Sequence, residues 1–294
     1  MMKTRAFKNK LEMLVFVGPA LVLILLMAEI PFVMSLYYSL TKWNGIGKTI
    51  EFIGLKNFTE LFTADAAFWK TMLFTLQYTV FNVILTNVAA IVLAVVLTKA
   101  LKSANILRAA FFVPYIVSLV IIGFIWKFIF TKGFEALFTL TGWGFFEWSW
   151  LGDVKLAFTS VLFVSVWQAV GFYMMIYITG LQSVPGDVLE AAEIDGATGL
   201  TRFFKITLPL LMPSFTIAVF LSLANSLKIF DIIYTLTFGG PGNATRSVTL
   251  DIYTEAFVNN RFGYATAKSL MFVVLILIIT LVQVNFFKSK EVEA

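Results

Sequence analysis

The 294-residue chain has no cysteine and no histidine. Without thiols there is no disulfide framework, thiolate zinc site or cysteine nucleophile. Without imidazole there is no side chain whose ordinary titration lies near neutrality and no histidine metal ligand. Charge is scarce too. Only 13% of residues are Asp, Glu, Lys or Arg, 60% are hydrophobic, and the mean hydropathy is +0.90. That is too apolar for a chain that must cover itself with a water-facing polar shell, and a bilayer is the solvent it suits. The net charge of +5 matches contact with an anionic inner leaflet and requires no nucleic acid. Low-complexity tracts are absent, and no internal repeat stands out.

What is present is a set of long apolar runs. Six stretches approach the roughly 20 residues that a helical span needs: 13–38, 72–98, 106–130, 156–181, 207–234 and 266–287. The sequence therefore predicts an all-α integral membrane protein with six transmembrane helices. An N-terminal tail, first helix and external loop occupy 1–71, a five-helix core occupies 72–287, and a short tail occupies 288–294. The first run follows Lys3, Arg5, Lys8 and Lys10, as a signal peptide would. It is too long for one and lacks a small-residue cleavage pattern before Pro31, so it reads as a retained helix. Basic residues are denser in the segments sharing a side with the N-terminus, through Lys99, Lys102, Arg108, Arg202, Lys205, Lys288 and Lys290. This density places both termini in the cytoplasm.

The most informative stretch is Ser183 to Pro209, SVPGDVLEAAEIDGATGLTRFFKITLP. Ser183 reads as an N-cap with Pro185 in the first turn of a short helix, and Gly196 as its stop. A second short helix can begin at Thr198, turning Phe203, Phe204 and Ile206 toward the bundle before Pro209 breaks the chain into the fifth span. Asp187, Glu190 and Glu193 recur every three residues along one side, with Asp195 following. Ala191 and Ala192 leave a shallow surface that another protein can approach. This bent, acidic element calls for a basic, grooved partner. An ordinary surface helix joining two spans is the alternative that the residues alone leave open.

Gly45-Ile46-Gly47-Lys48-Thr49 looks like the end of a phosphate-binding loop. The pattern needs a glycine five residues before Gly47, where Lys42 stands, and no strand precedes it, so it reads as an external turn.

Polar residues punctuate the apolar runs. Ser222, Asn225 and Ser226 share one face of the fifth span. At that depth they either line a solute path or hydrogen-bond neighbouring helices. Tyr115 and Ser118 in the third span, and Trp167, Gln168 and Tyr173 in the fourth, are further candidates. Aromatic rings with neutral donors and acceptors suit an uncharged, hydroxyl-rich solute, and no arginine sits deep in a span to favour a phosphate. Lys228 and Asp231 stand one turn apart toward the outer end of the fifth span, and the sequence expects them to pair with each other, with solute contact as the alternative role. Lys127 is expected to snorkel to the interface. Gly239 to Gly242 form a turn cluster, and the segment onward to Arg261 is polar enough for an external protein contact or for a solvated connector.

The element at Ser183 to Pro209 resembles the EAA signature of binding-protein-dependent ABC transporter permeases. Glu190-Ala191-Ala192, three residues, Gly196, nine residues, then Ile206-x-Leu208-Pro209 match that pattern at every position. SLTKWNG around Trp43, FIGLKNFTELF at Phe52 to Phe62, VPY at Val113 to Tyr115, KIFD at Lys228 to Asp231 and GGPG at Gly239 to Gly242 are similar to the carbohydrate branch, of the maltose-type first subunit.

The resemblance implies a type I importer permease core with a cytoplasmic coupling helix. Asp187, Glu190, Ala191, Ala192, Glu193, Asp195 and Gly196 would dock on the ATPase, and the polar face of the fifth span would contact sugar. It implies a second homologous permease, two ATPase subunits that bind ATP and Mg, an extracytoplasmic solute-binding protein and a bacterial cytoplasmic membrane. No catalytic residue, metal or cofactor is expected in this chain itself. The alternative is an ion-coupled secondary transporter, which tends to show broken helices, repeated halves and buried ionisable relays, none evident in the sequence. A receptor or scaffold without transport would leave the polar span face unexplained.

Overall fold

The computed structural model describes residues 2–99 and 102–289, with side chains from Met13 onward. Lys3, Arg5, Lys8 and Lys10 therefore lie outside the described side chains, and Lys290 and the rest of the C-terminal tail lie outside the described residues.

In chain order the helices are α1 (Met2–Ile24), α2 (Ile30–Ser39), α3 (Lys56–Thr63), α4 (Ala66–Thr98), α5 (Ala104–Ile116), α6 (Leu119–Phe128), α7 (Phe134–Thr141) and α8 (Gly144–Glu147). They continue with α9 (Val154–Gln182), α10 (Gly186–Ile194), α11 (Gly199–Arg202), α12 (Leu208–Leu210), α13 (Met212–Leu227), α14 (Asp231–Leu236), α15 (Val248–Tyr253) and α16 (Phe262–Lys288). Wider π turns link several of them at Leu25–Glu29, Ile129–Gly133, Phe203–Thr207 and Thr254–Val258. Strands β1 (Thr41–Lys42) and β2 (Glu51–Phe52) pair antiparallel, Thr41 opposite Phe52 and Lys42 opposite Glu51.

Among the described residues four helices are long and apolar enough to span a bilayer: Met13–Ser39, Ala66–Thr98, Val154–Gln182 and Phe262–Lys288. Two bent pairs bring the number to the expected six when each is counted as one span. The stretch expected as one span at 106–130 is broken at Val117–Ser118, with a 97° angle between Ala104–Ile116 and Leu119–Thr141. The stretch at 207–234 is broken twice. Gly199–Leu210 meets Met212–Leu227 at 75°, and α13 ends at Leu227 before α14 restarts at Asp231. The expectation of unbroken spans is thus corrected. Pro114 in α5 and the prolines flanking Leu211 remove backbone donors where these bends arise.

One compact unit comprises Met1–Asp65 and Ile252–Val273. Its β-hairpin holds the Gly45 to Thr49 stretch, with Gly45 at φ +88 and the Asn44 side chain accepting from the Gly47 amide at 2.7 Å. The two-residue strand β1 does precede this stretch, correcting the expectation that none would, but the stretch itself is a hairpin turn and not a phosphate cradle. Asn57 donates to the carbonyls of Ser39 and Thr41 at 2.8 and 2.9 Å, fixing α3 against the end of α2. Within the same unit Lys268 is 1% exposed, with Asp65 at 2.8 Å and Glu255 at 3.4 Å. Arg261 pairs with Glu60 at 2.6 Å. Burial alone would pull its guanidinium pKa down, but the hydrogen bond to Glu60 and the charges of Glu60 and Glu255 hold it above its ordinary value.

The second unit comprises Ala66–Asp251 and Val274–Ala294. Its core gathers Ala90, Ala94 and Leu97 of α4, Val170, Tyr173, Met174, Tyr177 and Ile178 of α9, and Leu211 and Ala218 around the start of α13. Small residues let these helices approach closely. A Cβ on Gly171 would stand 2.0 Å from the Phe111 carbonyl oxygen, and one on Gly180 would stand 2.2 Å from Ser214 Oγ.

Candidate functional site

The bent element is built by helix-ending chemistry. Ser183 is the last residue of α9's closing turn, with its hydroxyl donating to the Gly180 carbonyl at 2.8 Å. The expected N-cap is therefore corrected: extended backbone at Pro185 opens α10, which begins at Gly186 without a side-chain cap. The reason is that α9 continues further than hydropathy suggested, so Ser183 is spent on its C-terminus. At the other end Gly196 takes φ +80 and the Ala197 amide donates back to the Ala192 carbonyl at 2.9 Å. This closure favours glycine because a side chain there would be strained. Extended Thr198 then opens α11.

Asp187, Glu190, Glu193 and Asp195 are all exposed, as is Ala191. Ala192 is buried at 6% exposure, so the shallow surface expected of both alanines belongs to Ala191 alone, and Ala192 seats the helix on its own chain. Phe204 is likewise corrected, being exposed rather than turned inward. Glu193 pairs with Arg202 at 3.3 Å across the bend. Two residues the sequence reading passed over stand out beside the acids: Ile194 is 86% and Leu200 76% exposed. An apolar tip next to a charged row, as at Ile194, is what a protein partner's surface covers, whereas Leu200 lines a groove behind the acids. Their signal was present as large aliphatics in an otherwise polar stretch.

The helices that carry this element also enclose a cavity of about 520 Å³. Tyr115 and Ser118 reach it from the break between α5 and α6, Gln168 and Tyr173 from α9, and Ser222, Asn225 and Ser226 from α13. The break between α13 and α14 adds Lys228 and Asp231. Nine of the ten sequence candidates thus meet in one space. Trp167 does not: it faces outward and packs edge-on against Trp126 at 5.4 Å. One helical step from Gln168 rotates it by about 100°, off the lining face.

The interhelical hydrogen bonds weighed for the polar face of the fifth span are made there, and the same face lines the cavity. Ser226 accepts from Asn82 and Ser222 from Asn87, each at 2.8 Å, which ties α13 to α4. Asn225 stays open to the cavity, reaching only the Tyr173 hydroxyl at 3.3 Å. Gln168 is buried on the lining and makes no side-chain hydrogen bond among the described residues. Asn82 also lines the space, and its Oδ1 has no protein partner. Sequence reasoning missed Asn82, although Thr75, Thr79, Asn82 and Thr86 form a polar face on α4 by the same spacing rule. Lys228 and Asp231 form no ion pair with each other. The helix breaks between them, so the one-turn spacing that would have paired them does not exist, and both side chains are left on the lining.

With rings such as Tyr115, stacked on Phe172 at 4.4 Å, beside amides and hydroxyls, the cavity can hold apolar faces and exchange hydrogen bonds with polar edges. Residues 86–291 match the family model described as binding-protein-dependent transport system inner membrane component. The chain belongs to that family. This permease is 38% identical to the probable starch degradation products transport system permease protein AmyD of Thermoanaerobacterium thermosulfurigenes, over 99% of both chains. It is 34% identical to the multiple sugar-binding transport system permease protein MsmF of Streptococcus mutans, over 99% of this chain and 100% of that one. A chain of a bacterial alginate ABC transporter, solved in complex with an alginate pentasaccharide-bound periplasmic protein, shares the permease's fold with a TM-score of 0.80 at 18% identity, covering 95% of this chain and 94% of that one. Membership answers the ion-coupled alternative, whose exclusion could not rest on unbroken helices once the two bent spans and the buried Lys268 are seen.

Proposed function

We propose that this permease forms half of the translocation path of an ATP-driven importer of sugars or oligosaccharides. A second homologous permease completes the path, two ATPase subunits bind ATP and Mg, and an extracytoplasmic binding protein delivers the solute. The observation that carries this reading is a continuity of structure. α9 brings Gln168 and Tyr173 to the cavity and ends at Gln182, the acidic hook follows, and α13 returns with Asn225. Force applied to the hook therefore acts on two cavity walls at once, which is the mechanical link an external motor requires. The exposed acids and Ile194 face that motor. In this reading the hook and both termini lie in the cytoplasm of a bacterial cell.

The reading of the solute class is supported by the amides, hydroxyls and tyrosines on the lining, which stand beside Lys228 and Asp231, and by the relatives named for starch products and multiple sugars. The test is reconstitution of the complex with its binding protein in vesicles. Sugar uptake that needs internal ATP and persists without an ion gradient is expected; uptake driven by an ion gradient without ATP would refute the proposal. Identifying the solute held by the binding protein names the sugar.

A further inference from the structure

Behind the hook lies a second space, which shares no lining residue with the first. A groove of about 630 Å³ is walled by the end of α4, the end of α9 and the segment through α11 to Thr207. Its floor is aliphatic and aromatic, including Val92, Val96, Leu181 and Phe203, and two cations stand at its edge, Lys99 just beyond α4 and Arg202 at the end of α11. The hook's acids are Asp187, Glu190, Glu193 and Asp195, and none of them lines the groove. An anion is therefore drawn to this side of the hook and repelled from its acidic row.

The groove continues into an exposed apolar stripe on α4, Leu85, Val88, Val92 and Val96, spaced three, four and four residues apart and so on one helical face. From Leu85 to Val96 the rise is about 16 Å, close to half of a bilayer's roughly 30 Å hydrocarbon core. Lys99 thus falls at headgroup depth when Leu85 lies near the midplane. A soluble anion would leave the floor empty, whereas a molecule with a phosphate at one end and a chain of one-leaflet length at the other matches both.

We infer that this groove binds an anionic glycerophospholipid, with its phosphate between Lys99 and Arg202 and an acyl chain along Val96 and Val92. Arg202 also holds Glu193 at 3.3 Å, so the bound headgroup shares a cation with the hook and lies where it stiffens the hook against the bundle. The site depends on the groove itself, and it stands whether or not the hook docks on an ATPase.

The test uses the assembled transporter in vesicles containing either phosphatidylglycerol or phosphatidylcholine with the same photoreactive acyl chain. The anionic probe is expected to label the 91–99 and 199–207 peptides about thirtyfold more than the zwitterionic one, since each of the two basic residues near the headgroup contributes about 1 kcal/mol. Lys99→Gln with Arg202→Gln should remove that preference. Val96→Trp, which fills the groove and keeps both charges, should abolish labelling by either probe, and soluble glycerol phosphate should not compete. Equal labelling of the native protein by the two probes overturns the inference, as does labelling indifferent to Val96→Trp. Because the chain has no native cysteine, Val92→Cys supplies a single thiol; its cross-linking to another polypeptide would show that protein, not lipid, covers the groove.

Discussion

Tyr177 donates its hydroxyl to Oδ1 of Asn87 at 2.6 Å, joining α9 to α4 inside the bundle. The same Asn87 donates from Nδ2 to Ser222 on α13 at 2.8 Å. One amide therefore fastens three helices, each of which also contributes to the cavity wall. Asn87→Ala strands the buried Tyr177 hydroxyl, whereas Ser222 keeps its bond to the Val219 carbonyl at 3.0 Å, so the expected loss is about 1 to 2 kcal/mol, above the roughly 0.6 kcal/mol of an average membrane hydrogen bond. Ser222→Ala should lose less. Thermal unfolding in detergent measures both, and a cycle with Tyr177→Phe should show coupling between residues 87 and 177.

The hook permits a separation of docking from folding. Glu190 is exposed and without an internal partner, so Glu190→Ala should leave stability within about 0.5 kcal/mol while sugar-stimulated ATP hydrolysis by the assembled complex falls about tenfold. Gly196→Pro forbids the φ of +80 seen there and should unhinge the hook as well as uncouple it. Combining the two and finding coupled hydrolysis intact would remove the docking role.

Ile194 offers a companion measurement. At 86% exposure it gains nothing from its own chain, so Ile194→Ser should be neutral for the unfolding temperature. If the tip enters a pocket on the ATPase, the same change should weaken subunit association about tenfold, consistent with losing 1 to 2 kcal/mol of apolar burial. Pull-down of the ATPase across a dilution series reads this directly.

Hydropathy made the six spans legible because a bilayer-crossing helix needs little more than length and apolarity. Gly196 and the alternating acids made the hook legible because stops and surface rows are local. The breaks at Val117–Ser118 and Leu211 were not, since an averaging window sees through a kink that changes direction but not composition. Pro114, Pro209 and Pro213 were the local signs. Lys268 was hidden the same way, one cation within a strongly apolar helix, and its partner at 2.8 Å, Asp65, is remote in sequence. Trp167 and Gln168 show the limit from another side: adjacent residues point about 100° apart, and only packing decides which faces the cavity.

Lys268 carries the largest expected stability effect. It is 1% exposed between Asp65 and Glu255, and the Tyr264 hydroxyl donates to the same Asp65 at 2.8 Å. Lys268→Met removes the buried ammonium from beside two part-buried carboxylates, of which Glu255 keeps Arg261 at 3.9 Å, so the expected loss is about 3 kcal/mol, the low end for breaking a buried pair. Adding Asp65→Asn should recover part of it. Thermal unfolding of the single and double variants checks this, and recovery distinguishes charge imbalance from lost packing.

The cavity prediction sets neighbours against each other. Gln168 is on the lining with its amide unengaged by the chain, so Gln168→Ala removes donors and acceptors available to a solute without breaking a hydrogen bond. It should raise the solute concentration for half-maximal uptake, or lower the maximal rate, about tenfold, with unfolding nearly unchanged. Trp167 lies off the lining against Trp126, so Trp167→Ala should do the reverse, lowering stability by about 1 to 3 kcal/mol while leaving the solute dependence of uptake in place. Ser226 falls between them because it accepts from Asn82 and also lines the space; Ser226→Ala should move both readouts modestly. Uptake assays paired with unfolding for the three variants check the ordering. If Gln168→Ala behaved like Trp167→Ala, the solute path would have to lie elsewhere in the bundle.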